Sequence, residues 1–312
     1  MLLVSLSFAC MRIDEIPTEF PTPEPPPKAT PLPKIKLRPE RELEKQIETI
    51  AQQEKGFVGV AAVLLETGDS ASLNGDQQFP MQSVYKMPIA MAVLYQETRG
   101  RLSVDEKIGV KPSDFVRRGV RSPLRDEFPQ GGEFSISELI GLSMSKSDGT
   151  ASDVLMDQVG GPTEVEDYLK QIGVTGMQVA NSEKQIFEDW ETQYKNSSTP
   201  MAAIELLRAL HEGGGLTPDT RELLLYFMKK SDPGSRRLKR LLPKETVVAH
   251  KTGTGGNKDN VNSATNDIGL IDLPNGRHIA IAVYIANSTD DMWIREKTIA
   301  EIAKAVWDEW NK

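Results

Sequence analysis

Ser83 and Lys86 stand three residues apart at the opening of an apolar segment. At that spacing a hydroxyl and an ammonium leave one helix face within reach of a shared proton. A serine hydroxyl is a weak nucleophile until a neighbouring group takes that proton, and a helix N-terminus favours the negative charge that develops. Taken alone, Ser-x-x-Lys reads as a helix cap followed by a surface lysine. Three further segments change its weight: Ser147-Asp148-Gly149, Glu183 in a polar loop, and Lys251-Thr252-Gly253-Thr254. A second hydroxyl can pass a proton to a leaving nitrogen, and a carboxylate can serve as general base. A lysine with two hydroxyls at a strand end, beside glycines, suits a carboxylate-bearing ligand laid along the strand edge. In this order the four segments describe an acyl-transfer site.

The rest of the composition excludes other chemistries. The chain has 312 residues, 38% hydrophobic and 26% charged, which is ordinary for a soluble globular protein and long enough for a large core. Its net charge of -8, from 45 acidic and 37 basic residues, gives no support to nucleic-acid binding. Cys10 is the only cysteine, so no intramolecular disulfide and no cysteine-rich metal site can form. His211, His250 and His278 lie far apart without a spacing such as H-E-x-x-H. No metal and no cofactor are expected.

The elements that must position the four segments follow from pattern. Residues 1–39 read as a targeting and linking region. Met1 to Ala9 is apolar and too short to span a bilayer, and it resembles the apolar stretch of a secretory signal, although no basic residue precedes it. Cys10 at its end resembles the lipidated cysteine of a bacterial lipoprotein signal, with an incidental cysteine in a truncated start as the plain alternative. One acylated cysteine would give a membrane tether without a membrane span. Export to the periplasm or cell envelope is the expectation. The proline-rich run from Pro17 to Pro39 reads as an extended spacer.

Leu43, Ile47 and Ile50 recur at helical spacing in a first amphipathic helix. Val58 to Leu65 reads as a strand followed by a hairpin, and Thr246 to Thr252, Asp267 to Leu273 and His278 to Ala286 read as three more strands. Asn275-Gly276 is a hairpin turn signal between the last two. Trp293 to Trp310 closes the chain as a helix. The middle reads as helical, with starts at Ser137 and Pro162 and breaks at Gly160-Gly161 and Gly213 to Gly215. The expected fold is α/β and two-lobed. Residues 40–83 and 232–312 form an antiparallel sheet flanked by helices, and residues 84–231 form an inserted all-helical lobe, with the site in the cleft between.

The motifs and the strings around them resemble a class A serine β-lactamase from about Gly56 to the C-terminus. The strings are Phe79-Pro80-Met81-Gln82-Ser83-Val84-Tyr85-Lys86, Glu127-Phe128-Pro129, Val159-Gly160-Gly161-Pro162, His250-Lys251-Thr252-Gly253-Thr254 and Thr265-Asn266-Asp267-Ile268-Gly269. The resemblance implies the same two-lobed fold and a small-molecule β-lactam as substrate; a monomer is the default expectation. It implies that Ser83 attacks the lactam carbonyl while the backbone N–H groups of Ser83 and Thr254 hold the oxyanion. Lys86 and Glu183 then arrange the proton transfers, Ser147 relays a proton to the ring nitrogen, and Lys251, Thr252 and Thr254 anchor the substrate carboxylate. Glu183 activates the water that frees the acyl-enzyme.

Three departures qualify the match. Gly149, at a substrate-binding position, stands where the family usually places Asn. The usual Arg-x-Glu-x-x-x-Asn loop pattern is absent, so Glu183 is chosen from a divergent branch with Tyr194-Lys195-Asn196 behind it, and Glu188 or Glu191 remains an alternative base. Arg121 replaces an aromatic at the cleft rim. A penicillin-binding D-Ala-D-Ala peptidase or acyl-sensing domain shares most of the motifs. A non-catalytic envelope binding module is a more distant alternative, and an ordinary α/β hydrolase lacks its G-x-S-x-G elbow here.

Overall fold

Residues 29–312 are described by a computed structural model. The expected export signal and Cys10 lie outside the described residues. Along the chain, β1 (Arg38–Pro39) leads into α1 (Arg41–Ala51), followed by β2 (Phe57–Leu64), β3 (Asp69–Leu73) and β4 (Phe79–Pro80). A 3-10 turn, Gln82–Tyr85, feeds α2 (Lys86–Thr98). Then come β5 (Lys107–Val110), α3 (Pro123–Glu127), β6 (Gly132–Ser135), α4 (Ile136–Ser145), α5 (Gly149–Val159), α6 (Pro162–Gln171), β7 (Met177–Gln178), α7 (Glu183–Ile186), β8 (Ser197–Ser198), α8 (Pro200–Glu212) and α9 (Pro218–Lys229). The chain ends with β9 (Val248–Thr254), β10 (Asn257–Lys258), β11 (Val261–Asp272), β12 (His278–Ser288) and α10 (Met292–Trp310).

The main sheet runs β1-β3-β2-β12-β11-β10, with β9 also pairing β11. All its pairings are antiparallel except the short parallel pairing of β1 with β3. Its two central strands are buried on both faces, and the period of two divides their side chains between two cores, with Val63 and Tyr284 among the alanines of one and Ala62 among the branched residues of the other. Ala61, Ala280, Ala282 and Ala286 join the core shared with the helical lobe, whereas Val60, Ile279, Ile281, Val283 and Ile285 join the core beneath α1 and α10. The alanine face lets α8 pack closely on β2 and β12.

Helix α2 is buried from Lys86 to Tyr95, consistent with a sequence that is apolar on every side. Pro88 falls in its first turn, where backbone N–H groups have no intrahelical partner. Helix α4 begins at Ile136, one residue before the expected Ser137, with Ser135 as its cap. The Ser135 hydroxyl accepts from Glu138 N–H at 3.1 Å while the Glu138 carboxylate accepts from Ser135 N–H at 2.6 Å, a reciprocal cap that fixes the start.

Two further expectations are corrected. The middle of the chain is not purely helical, because β5 pairs β6 and the short strands β4, β8 and β7 form a small sheet of their own. The spacer does not extend to Pro39. Leu32 and Ile35 pack on the core of the helical lobe, Ala29 N–H donates to the Tyr95 hydroxyl at 3.3 Å, and Arg38–Pro39 pairs with Asp69–Ser70 in the main sheet. Proline removes donors but not apolar surface, so this strap follows the body of the protein. Among the described residues no helix is long and apolar enough to cross a membrane.

Candidate active site

Ser83 sits in the 3-10 turn rather than in the regular helix expected from Val84 onward. The turn is held from both sides. Asn266 Nδ2, on β11, donates to the carbonyls of Pro80 and Met81 at 2.8 and 3.1 Å. Gly253, on β9, lies so close that a Cβ there would stand 2.3 Å from the Met81 carbonyl oxygen. The residue before the serine, Gln82, has φ +48, a left-handed conformation that non-glycine side chains seldom adopt. Its Nε2 donates to Gln193 Oε1 at 2.9 Å, which holds the turn against the loop opposite.

Ser147 is the second non-glycine residue of the site with positive φ, at +58. Strain of this kind costs roughly 1–3 kcal/mol and persists only where neighbours over-determine it. Two fully buried lysines do so. Lys86 Nζ donates to the Ser147 carbonyl at 3.0 Å and lies 3.5 Å from Glu183 Oε1. Lys251 Nζ donates to Ser147 Oγ and to the Thr252 carbonyl at 3.0 and 3.1 Å. Burial, reinforced by the ammonium of Lys86, holds Lys251 well below the usual lysine range. Strand β9 is fixed in turn by His250 Nδ1, 2.8 Å from Asp267 Oδ1 on β11.

Glu183 opens α7 and is buried, although it belongs to a polar loop. Asn196 closes that loop: its Oδ1 accepts from Ala180 and Asn181 N–H, and its Nδ2 donates to the Asn181 carbonyl. Asp153, on α5, accepts from Glu183 N–H at 2.6 Å and Lys184 N–H at 3.0 Å. Burial pushes its carboxyl up to about 6, despite the opposing effect of those two hydrogen bonds. The Tyr85 hydroxyl donates to Glu183 Oε2 at 2.5 Å, and burial with the adjacent carboxylates pushes that phenol well above its ordinary value. Gly149 fits because its neighbours leave no room: a Cβ would lie 2.9 Å from Glu183 Cγ and 3.3 Å from the Arg121 carbonyl oxygen.

Ser83, Ser147, Glu183, Thr252 and Thr254 line one cleft of about 370 Å³, with Lys86 and Lys251 buried beneath it. Glu188 lines a neighbouring hollow with Trp190, and both it and Glu191 are exposed. Arg121 is exposed at the rim, its Nε donating to the Lys146 carbonyl at 2.6 Å. Three residues that sequence reasoning passed over join the site. Tyr85 and Asp153 hold Glu183, and buried Arg237 donates to Thr254 Oγ1 at 2.7 Å and to the carbonyls of Gly253 and Asn266. Tyr85 lay inside the nucleophile motif and Asp153 five places after Asp148, so each had a positional signal; Arg237, in a polar turn, had none.

Residues 42–310 match the model of the beta-lactamase enzyme family. The beta-lactamase VEB-1 of Pseudomonas aeruginosa is 38% identical over 265 residues, spanning 84% of this chain and 88% of that protein. The extended-spectrum beta-lactamase PER-1 of the same organism is 36% identical, spanning 85% of this chain and 86% of that protein. Among solved structures, the TLA-1 extended-spectrum beta-lactamase superposes with a TM-score of 0.85 at 39% identity, covering 87% of this chain and 99% of its own. A class A beta-lactamase from Bacteroides cellulosilyticus superposes at 0.82 with 32% identity, covering 87% and 98%. The chain therefore belongs to the beta-lactamase enzyme family, and within it to class A.

Proposed function

We propose that this class A β-lactamase opens the four-membered amide ring of penicillin- and cephalosporin-type compounds through an ester on Ser83. Ser83 Oγ bonds to the lactam carbonyl carbon as its proton leaves by way of Lys86 and Glu183. The backbone N–H groups of Ser83 and Thr254 hold the oxyanion, where one donor contributes about 10² to 10³ in rate. When the carbon–nitrogen bond breaks, Ser147 delivers a proton to the ring nitrogen, and Lys251 Nζ, donating to Ser147 Oγ at 3.0 Å, holds that hydroxyl in place. Thr252, Thr254 and Lys251 receive the substrate carboxylate, with Gly149 on the side of the substrate's acyl group. A water then attacks the ester carbon, gives its proton to Glu183, and Ser83 departs with a proton restored.

The observation that carries this reading is the placement of Lys86 Nζ between the Ser147 carbonyl and Glu183 Oε1 on the floor of the cleft that Ser83 lines. A colour-changing cephalosporin tests it. Steady turnover is expected; a single burst equal to the enzyme concentration would instead mark an acyl-trapping protein. Glu183→Ala should accumulate a mass corresponding to acyl-enzyme, and Ser83→Ala should form none. Normal turnover by Glu183→Ala would move the base to Glu188 or Glu191.

The same reading includes export as a monomer, with Cys10 carrying a lipid tether to the cell envelope. Membrane fractionation of the full chain against Cys10→Ser tests the anchor, which predicts release of the variant into the soluble fraction.

A further inference from the structure

Of the three histidines in the sequence, two meet in space. His211 lies near the C-terminal end of α8, and His278 is the first residue of β12. Their ring centroids are 4.5 Å apart. Glu66, in the turn between β2 and β3, joins them: its Oε1 stands 2.7 Å from His278 Nδ1, and its carboxylate accepts from His278 N–H. One donor atom from each of the three residues falls within 4.8 Å of the other two. The third histidine, His250, is fully buried against Asp267 and belongs to the strand beneath the cleft.

The surroundings are those of a reachable binding site. The side chains of His278 and Glu66 are 33% and 35% exposed, and His211 and His278 line a cavity of about 390 Å³. Asp272, paired with His278 across β11 and β12, and Glu222 line the same cavity and offer further oxygen donors. Two cations line it as well: Arg221, whose Nη1 donates to the His211 carbonyl at 3.0 Å, and Lys229. Two adjacent imidazoles cannot both carry a proton without repulsion, whereas a bound cation turns their lone pairs into an attraction. The Glu66–His278 hydrogen bond alone would leave His211 without a part in the cluster.

We propose that Glu66, His211 and His278 bind a divalent transition-metal ion of the zinc type, and that the ion braces the helical lobe to the sheet. Two imidazoles and one carboxylate are a donor set for zinc, with solvent or one of the flanking carboxylates completing four-coordination. Magnesium and calcium select sets made of oxygen alone and are excluded by the imidazoles. The brace would join three segments: the end of α8, the β2–β3 turn and the start of β12. None of the three residues lines the Ser83 cleft, so the ion acts on stability and leaves the reacting groups alone.

The test uses the full chain without a histidine tag, in a Cys10→Ser background that removes the one thiol. Calorimetric titration with zinc should give one ion per chain, and cobalt(II) should develop the visible bands of a four-coordinate nitrogen and oxygen site. At a zinc concentration about a hundred times Kd, Tm should rise by about 5 °C, as expected for a ligand that binds only the folded state. His211→Ala, His278→Ala and Glu66→Gln should each weaken zinc binding by about tenfold or more, and magnesium should be without effect. His211→Asn and His278→Gln, checked for cooperative melting in the absence of metal, serve if the alanine variants fail to fold. Weak, non-saturating uptake by the parent protein, or stoichiometric binding that survives loss of both histidines, would overturn the proposal.

Discussion

The Tyr85 hydroxyl donates to Glu183 Oε2 at 2.5 Å, so the residue two places after the proposed nucleophile holds the carboxylate that shares its cleft. The Ser83 turn and the loop of the proposed general base are thereby one mechanical unit. Lys86 approaches the other oxygen of the same carboxylate from the next position of that turn.

Tyr85→Phe keeps the packing and deletes only this donor. A hydrogen bond to a charged group is worth about 1.5–3 kcal/mol, so deacylation should slow by about tenfold or more while acylation changes less. Rapid-mixing measurement of both steps with a chromogenic cephalosporin separates them. Equal loss in the two steps would mean that Tyr85 orders the whole turn and has no particular claim on Glu183.

Gly149→Asn restores the side chain usual in the family at this position, yet its Cβ would enter the space of Glu183 Cγ. Overpacking of this kind costs typically about 1–3 kcal/mol. Turnover should fall, with acyl-enzyme persisting in a mass spectrum, because the residue that must yield is the proposed general base. A gain in turnover would show that Glu183 moves aside at no cost.

Asp153 gives the protein a definite pH dependence. Its folded value of about 6 lies above the ordinary 3.8, so the folded protein holds this proton more tightly than the unfolded chain. The resulting stabilisation is fully present below about 3.8 and is lost as pH rises through about 6, for a total of about 3 kcal/mol. Denaturant unfolding of Asp153→Asn should lose this slope between those limits. An unchanged slope would assign it to other groups.

Arg237 is 2% exposed and spans Glu296, the Gly253 and Asn266 carbonyls and Thr254 Oγ1. Arg237→Ala would strand the Glu296 carboxylate and two carbonyls, and breaking a buried ion pair costs about 3–5 kcal/mol. Thermal melting should show the loss directly. Arg237→Lys keeps the charge but not the planar fork, so it should recover part of the stability and little of the hold on Thr254, read as a raised KM.

What could be read in the sequence was what is local. The four motif segments, the Asn275-Gly276 hairpin and the terminal helices each carry their own pattern within a few residues. The short strands β4, β7 and β8 have two residues apiece, too few for any period to register. Arg237 was hidden because its partners come from three separate elements, and the meeting of His211 with His278 depends on α8 crossing the end of β12. The strap was masked for another reason: its proline content is that of a spacer, whereas its two apolar residues, Leu32 and Ile35, are too few to show a period and pack on the core all the same. Glu183 sat in a polar loop, and only tertiary contacts from Tyr85 and Asp153 bury it.

That strap sets a limit on how the chain can be trimmed. Pro31 lies against Gly173 of the helical lobe, while Arg38–Pro39 belongs to the sheet, so one short stretch fastens both halves like a clasp on a case. Removal of residues 29–39 would unfasten the clasp and leave a looser enzyme with every site residue still in its covalent place.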